Sequence, residues 1–396
     1  MRPWIMSLRR PIVIGAVALA FAGCTSSGES AGTSVPTDPT TATTAPDVTD
    51  TTVDEPPPSE AAPTSTSSET SLPAPDTTSP PTTSTPPQPV AFDDLETVEF
   101  PVPAGSRPHD VAPAADGGVW YTAQRAGALG HLDPVTGETR HIPLGNGSAP
   151  HGVIVDENGV AWVTDGGLDA IVSVDATGDV VTVFPLPDGT DNANLNTAAF
   201  AGDGRLWFTG QNGIYGVLDP ASQVVEVHES PRGPGPYGIT ATPDGHIYYA
   251  SLAGSYVGAI DSEGEATVIE PPTPEQGARR VWSDSSGAIW VSEWNSGQLS
   301  RFTPTDGGSD AGDWSTWQLP GPAPATYAVY VDHVDQVWVS DFGGNALHRF
   351  DPASESFETF PLPADSAGVR QILGRGDEIW GAQSADDSLV VIRPRT

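Results

Sequence analysis

The sequence predicts an all-β fold, a seven-bladed β-propeller closed by its own N-terminal strand and preceded by a signal peptide and a disordered tether. Three observations carry this. An aromatic anchor inside a short apolar run recurs at Trp120, Trp162, Trp207, Tyr248, Trp290, Trp338 and Trp380, with gaps of 42, 45, 41, 42, 48 and 42 residues. No helical stretch separates the anchors, and a period of this size reads as four short strands per unit. The last unit ends too early for a fourth strand, while an orphan strand precedes the first unit.

The N-terminus is read first. Arg2, Arg9 and Arg10 precede an apolar run from Ile12 to Ala22 that ends in Ala22-Gly23-Cys24. Residues 1–23 therefore read as a bacterial lipoprotein signal peptide. Cys24 is the only cysteine, so it cannot form an internal disulfide, and its place at the end of the signal points to lipidation. The expected location is the outer face of the bacterial cell membrane, held by the lipid. The Arg9-Arg10 pair leaves Sec and twin-arginine export both open. Residues 24–92 form a Thr/Ser/Pro-rich tract without Lys or Arg. Such a composition cannot bury enough apolar surface to offset its ordering entropy, which predicts disorder. A Pro-rich tether of this length reaches on the order of 100–200 Å.

Residues 93–396 are assigned to the propeller. The second unit shows the pattern: strand a is GVIVD, strand b VAWVT, strand c AIVSVD and strand d VVTVFPL, with a turn at Glu157-Asn158-Gly159. Asp-Gly recurs in the a–b turn and Asp-Pro in the c–d turn, residues suited to tight turns. The anchors are expected to pack between neighbouring blades. The last unit stops after Leu389-Val390-Val391-Ile392, and Thr97 to Pro103 looks like a strand d. Residues 96–102 are therefore expected to pair as the outer strand of the Trp380 blade, which removes two open sheet edges.

Charge excludes some partners. The net charge is −35, and all sixteen basic residues are Arg. A chain this acidic is not expected to bind nucleic acid or anionic lipid surfaces through its net charge.

The repeat also places candidate site residues. Strands a and b run in opposite directions, so the residue before strand a and the residue after strand b are expected to rim one mouth of the central channel. Eleven residues before the anchors stand His109, His151, Asn196, Tyr237, Arg279 and Tyr327, and Arg370 completes the ring if the last blade is one residue shorter. Three residues after the anchors stand Ala123, Asp165, Gly210, Ser251, Glu293, Asp341 and Gln383. Convergent polar groups at the mouth of a closed β structure suggest a binding site. A wet channel needing polar lining is the plainer explanation of the same pattern.

The repeat pattern resembles the streptogramin B lyase, or virginiamycin B lyase, family. Pro236-Tyr237-Gly238-Ile239 and Ile289-Trp290-Val291-Ser292-Glu293-Trp294 carry the resemblance, which covers roughly residues 95–396. It implies β-elimination at the ester link of a cyclic depsipeptide, with a magnesium ion and two histidines in adjacent blades. Arg107-Pro108-His109 and Pro150-His151-Gly152 match the two histidine motifs. The sequence departs from the family where Ala149 replaces a glutamate two residues before the second histidine, and where Asp165 stands for a glutamate after strand b. The matching histidines also lie in the first two blades rather than the last two. Neither histidine has a metal-ligand partner at short sequence spacing, so the residues themselves leave a metal open.

Two function classes follow. One is a carbon–oxygen lyase acting on a small cyclic ester or peptide, with His109 and His151 as acid and base and Arg107, Asn196, Tyr237, Arg279, Tyr327, Arg370, Asp165, Glu293 and Asp341 as binding residues. The other is a non-catalytic propeller that binds a ligand or protein at the cell envelope. A monomer is expected in either case.

Overall fold

The computed structural model describes residues 87–305 and 309–395. The signal peptide, Cys24 and nearly all of the tether lie outside the described residues. Within them, 28 strands form seven four-stranded antiparallel sheets. Two single-turn 3-10 segments, Phe92–Asp94 and Gln124–Ala126, are the only helical pieces among the described residues.

The ring closes as the sequence anticipates. Strand Leu95–Pro101 pairs antiparallel with Ser388–Pro394, from Leu95 opposite Pro394 to Pro101 opposite Ser388. The last sheet thus takes its outer strand from the N-terminal end and its inner three from Val369–Arg375, Glu378–Gln383 and Ser388–Pro394. The main-chain N–H of Val102 donates to the Asp387 carbonyl and extends the seam by one residue.

The anchors pack between blades. Trp120 lies against Val153 and Val163 of the second blade, and Trp338 against Ile372 and Ile379 of the seventh. Trp380 returns to Val111 and Tyr121 of the first, so the circle is complete. A buried indole needs a partner for its N–H. In three blades that partner is an aspartate six residues earlier, in the a–b turn: Trp162 donates to Asp156 (3.0 Å), Trp290 to Asp284 (2.9 Å) and Trp338 to Asp332 (2.9 Å). The same aspartates cap the turn amides, as Asp156 does for Asn158 and Val160. The acid in these turns therefore serves the turn and the interblade core together.

A second repeated device ties blade to blade at the centre. The residue two after an anchor is often Thr or Ser. Its hydroxyl accepts an N–H from its own inner strand and donates to a carbonyl of the next blade. Thr122 accepts from Asp110 and donates to the His151 carbonyl; Thr164 links Gly152 to the Asn196 carbonyl; Ser292 links Arg280 to the Tyr327 carbonyl. Thr209 makes the same link to the Tyr237 carbonyl. These hydroxyls hold the backbone of four ring residues in place.

Candidate functional site at the channel mouth

Each inner strand carries a register shift against its neighbour near its start, between Pro108 and Val111 in the first blade and between Val369 and Ile372 in the last. The ring residues sit in these bulges, inside the strand rather than before it. A bulge re-aims side chains, here toward the channel axis. The shared register makes Arg370 the equivalent of His109, since Val369 faces Gln383 as Pro108 faces Ala123.

The two histidines meet. The rings of His109 and His151 lie 3.6 Å apart, centroid to centroid, at 43°. Both are buried, at 4% and 6% exposure. Their hydrogen bonds differ. His151 is held at both nitrogens, with Nδ1 3.2 Å from the Asn196 carbonyl and Nε2 3.2 Å from Asn196 Nδ2. The carbonyl can only accept, so Nδ1 carries the proton and Nε2 receives one from the amide. His109 has Nδ1 2.7 Å from Asp110 Oδ1, while its Nε2 has no hydrogen-bond partner among the described residues. Burial lowers the pKa of both imidazoles well below 6.5, and positive charge adds to this: Arg370, Arg280, Arg279 and Arg107 act on His109. Both rings are therefore neutral at neutral pH, which makes His109 Nε2 an acceptor.

A buried ion pair crosses the channel behind them. Arg280 of the fifth blade places Nη2 2.9 Å from Asp110 Oδ1 and 3.2 Å from Oδ2, and Nη1 2.6 Å from Thr197 Oγ1. Burial raises the Asp110 pKa against the pull of Arg280. These residues stand one place after the ring positions. At that place Gly152 and Gly238 have no room for a side chain: a Cβ would lie 2.5 Å from the Asn196 carbonyl oxygen and 2.6 Å from Arg280 Cα respectively. Gln371, at the same place, accepts the Val111 N–H at 3.0 Å.

On the other side of the mouth, Tyr237 and Tyr327 share a 2.5 Å hydroxyl contact. Arg279 Nη2 donates to Tyr237 at 3.2 Å, and Arg370 Nη1 donates to Tyr327 at 3.1 Å. Arg279 Cζ lies 3.5 Å from the Tyr327 ring centroid and 4.6 Å from that of Trp294. Phe342 stacks on Tyr327 at 4.8 Å. Burial raises the Tyr237 hydroxyl to about 12, with Tyr327 adding to the rise. Burial acts on Tyr327 in the same sense, but Arg279, Arg370 and Arg280 outweigh it and hold that hydroxyl below the usual phenol value.

The residues of the second expected ring have partners of their own. Asp165, Glu293 and Asp341 are buried and engaged within their own blades, although Asp341 Oδ2 has no hydrogen-bond partner and lies 3.5 Å from His348 Nε2. Asp165 accepts from the amides of Ala149 (2.8 Å), Gly167 (2.9 Å) and Leu168 (3.0 Å) and from Ser148 Oγ (2.5 Å). Asp341 accepts from the amides of Ala325 (2.7 Å) and Gly343 (2.8 Å). Glu293 takes the hydroxyls of Ser296 and Ser300. Loop amides without a strand partner need acceptors, and a carboxylate at the end of strand b supplies one. Arg107 is exposed, with φ of 48° and its amide on Asp387 Oδ1 at 2.6 Å. Sequence reasoning missed Asp110, Arg280, Thr197, Trp294 and Phe342. Polar residues one place after the ring position, at Asp110, Thr197, Arg280 and Gln371, were the available signal.

The magnesium ion implied by the resemblance does not fit. Ligand atoms of His109, Asp110 and His151 lie within 4.8 Å of one another. Magnesium prefers several oxygen ligands in octahedral array. This set offers two imidazoles and a carboxylate already held by Arg280, beside three further arginines. The two positions that would add carboxylates are Ala149 and the loop-bound Asp165.

The model of the virginiamycin B lyase family matches residues 91–309. The chain belongs to that family. A solved streptogramin B lyase is 22% identical, with a TM-score of 0.69, covering 77% of this chain and 100% of that one. The virginiamycin B lyase of Staphylococcus aureus is 20% identical at the same TM-score, covering 76% and 100%, and a catalytically inactive variant of it is known with quinupristin. A more distant match, YCF48 bound to D1 peptide, is 14% identical with a TM-score of 0.59, covering 78% and 99%. At these identities the likeness is one of fold. No curated protein matches the sequence.

Proposed function

We propose that this chain is an exported, lipid-anchored lyase that breaks a carbon–oxygen bond by β-elimination, with His109 as its base. The observation that carries this is the buried Asp110–His109 pair, which leaves His109 Nε2 neutral, oriented and without a partner at the channel mouth. A base held by a carboxylate, with its other nitrogen free, suits removal of a proton next to a carbonyl. Nε2 takes the α-proton, the C–H electrons form the new C=C bond, and the β C–O bond breaks. The imidazolium, opposed by Asp110, returns the proton to the departing oxygen. No water is consumed. The expectation that the second histidine shares the proton transfers gives way to a different role. His151, held at both nitrogens, positions His109 by ring contact. A small cyclic ester or peptide is the substrate class, in keeping with the family.

The test is mass spectrometry of cyclic depsipeptides incubated with the protein. A linear product of unchanged mass supports elimination, and a gain of one water overturns it in favour of hydrolysis. A second reading, a binding propeller without turnover, draws on Ala149 and Asp165, the two places where the family's acids are absent or engaged elsewhere. Binding without any product would establish that reading. Export and anchoring at Cys24 rest on the signal-like N-terminus and are tested by fractionation.

A further inference from the structure

The mouth of the channel is cationic in a strongly acidic protein. The chain has 51 acidic and 16 basic residues, yet Arg107, Arg279, Arg280 and Arg370 are all near enough to act on His109. Among the described residues, Arg280 alone of these four has an acidic partner, Asp110. The carboxylates that follow strand b in three blades, Asp165, Glu293 and Asp341, are engaged by groups of their own blades, Asp341 Oδ2 lying beside His348, and none of them pairs with these arginines. Asp110 acts on Arg370 only from a distance and is already held by Arg280, and among the described residues neither Arg279 nor Arg370 has a carboxylate within ion-pair reach.

Both guanidiniums are nevertheless held in place. Arg279 is stacked among Tyr237, Trp294 and Tyr327, donates once to Tyr237, and keeps a buried Nε with no partner. Arg370 is fixed by Ser384 at Nε (2.5 Å) and Tyr327 at Nη1 (3.1 Å), with no partner for Nη2. Each is only partly covered. A desolvated guanidinium with unmet donors is costly unless something else meets them. A guanidinium lying flat on an aromatic ring presents its N–H groups edge-on, in one plane, and that plane matches a carboxylate.

We propose that Arg279 and Arg370 form a receptor for a carboxylate, so that the ligand of this mouth is a small organic acid whose body rests against Trp294 and Phe342. The receptor shares the face used in the proposed lyase reaction and names that reaction's substrate class as acidic, but binding itself does not depend on turnover. In the elimination, two guanidiniums on a carboxylate beside the α-carbon would offset the charge that builds up there as the proton leaves.

The test is calorimetric titration of the full-length chain with sodium phenylacetate, and with phenylacetamide as its neutral counterpart. Phenylacetate is expected to bind one-to-one in roughly the millimolar range, and phenylacetamide about tenfold or more weakly. Arg279→Gln and Arg370→Gln should each weaken phenylacetate about tenfold, the double variant should abolish binding, and Arg370→Lys should restore part of it. Arg301→Gln, which lies against Trp290 and Trp317 within the fifth blade and away from the two tyrosines, should change nothing. Unaltered circular dichroism and melting of each variant keep the comparison valid, and a variant that melts early is replaced by its Lys counterpart. The proposal is overturned by equal affinity for phenylacetamide, by full binding in the double variant, or by no saturation up to about 50 mM. Inorganic phosphate or sulfate binding more tightly than phenylacetate also overturns it. Phenylacetate binding without any lyase turnover would sink the lyase and leave the receptor standing. Opening of a neutral depsipeptide that phenylacetate does not inhibit would do the reverse.

Discussion

Arg280 and Asp110 stand 170 residues apart in sequence and form a buried ion pair across the channel, with Arg280 Nη2 at 2.9 and 3.2 Å from the two carboxylate oxygens. The pair joins the fifth blade to the first. Asp110 in turn holds His109, so one contact sets both the centre of the ring and the proposed base.

Removing one partner should be costly. Asp110→Ala leaves Arg280 buried without its counter-charge and is expected to destabilise the fold by about 3–5 kcal/mol. Replacing both residues with apolar ones of similar size should recover most of that loss. Urea unfolding of the single and double variants measures it, and a double variant no more stable than Asp110→Ala would contradict the account.

Stability should fall on mild acidification. The pKa values of His109 and His151 are lower in the folded protein than their ordinary 6.5. Below pH 6.5 the unfolded chain binds protons that the folded one refuses. Their contribution is therefore complete above pH 6.5 and is lost as pH falls toward the folded values, with a slope of up to about 2.7 kcal/mol per pH unit for the two together. Asp110, whose pKa is raised, acts in the opposite sense at lower pH. Replacing both histidines with Gln should flatten the profile between about pH 6.5 and 5; an unchanged slope would show that other groups cause it.

The two histidines should differ in kinetics. His109→Ala is expected to lower kcat about 10²-fold or more, as loss of a general base does. His151→Asn should cost less, because that ring positions rather than reacts. Equal losses, or a larger loss at His151, would reverse the assignment.

Closure of the ring should be indispensable. Deleting residues 93–103 removes the strand whose seven residues pair with Ser388–Pro394 and leaves Ser388–Pro394 as an unpaired sheet edge. The deleted protein is expected to lose its single cooperative melting transition. Retention of the wild-type melting temperature would be incompatible with this role.

Cys24→Ala should move the protein from the membrane fraction to the medium with the propeller folded. Retention in the membrane would mean that Cys24 is not the anchor.

The fold was legible because its signals are local and repeated. Each anchor aromatic, each turn aspartate and each glycine turn lies within about a dozen residues of its strand partners, so the period alone predicts seven blades. The orphan strand at Thr97 and the truncated unit at Ile392 then predict the closure. The first ring, from His109 to Arg370, was legible for the same reason, since equivalent places in a repeat converge on one axis.

The sequence by itself thus determined the architecture, the seam and the first ring of residues, from His109 to Arg370. Only the tertiary structure decided how they combine there. Nothing local tells Asp110 that its partner is Arg280, because that contact exists only once five blades have turned the chain across the channel. Nor does spacing distinguish a carboxylate that faces the ligand from one, such as Asp165, that is claimed by the unpaired amides of its own loop. Buried polar groups take whichever partner folding brings within reach, and the desolvation cost of leaving any of them unmet makes that choice strict.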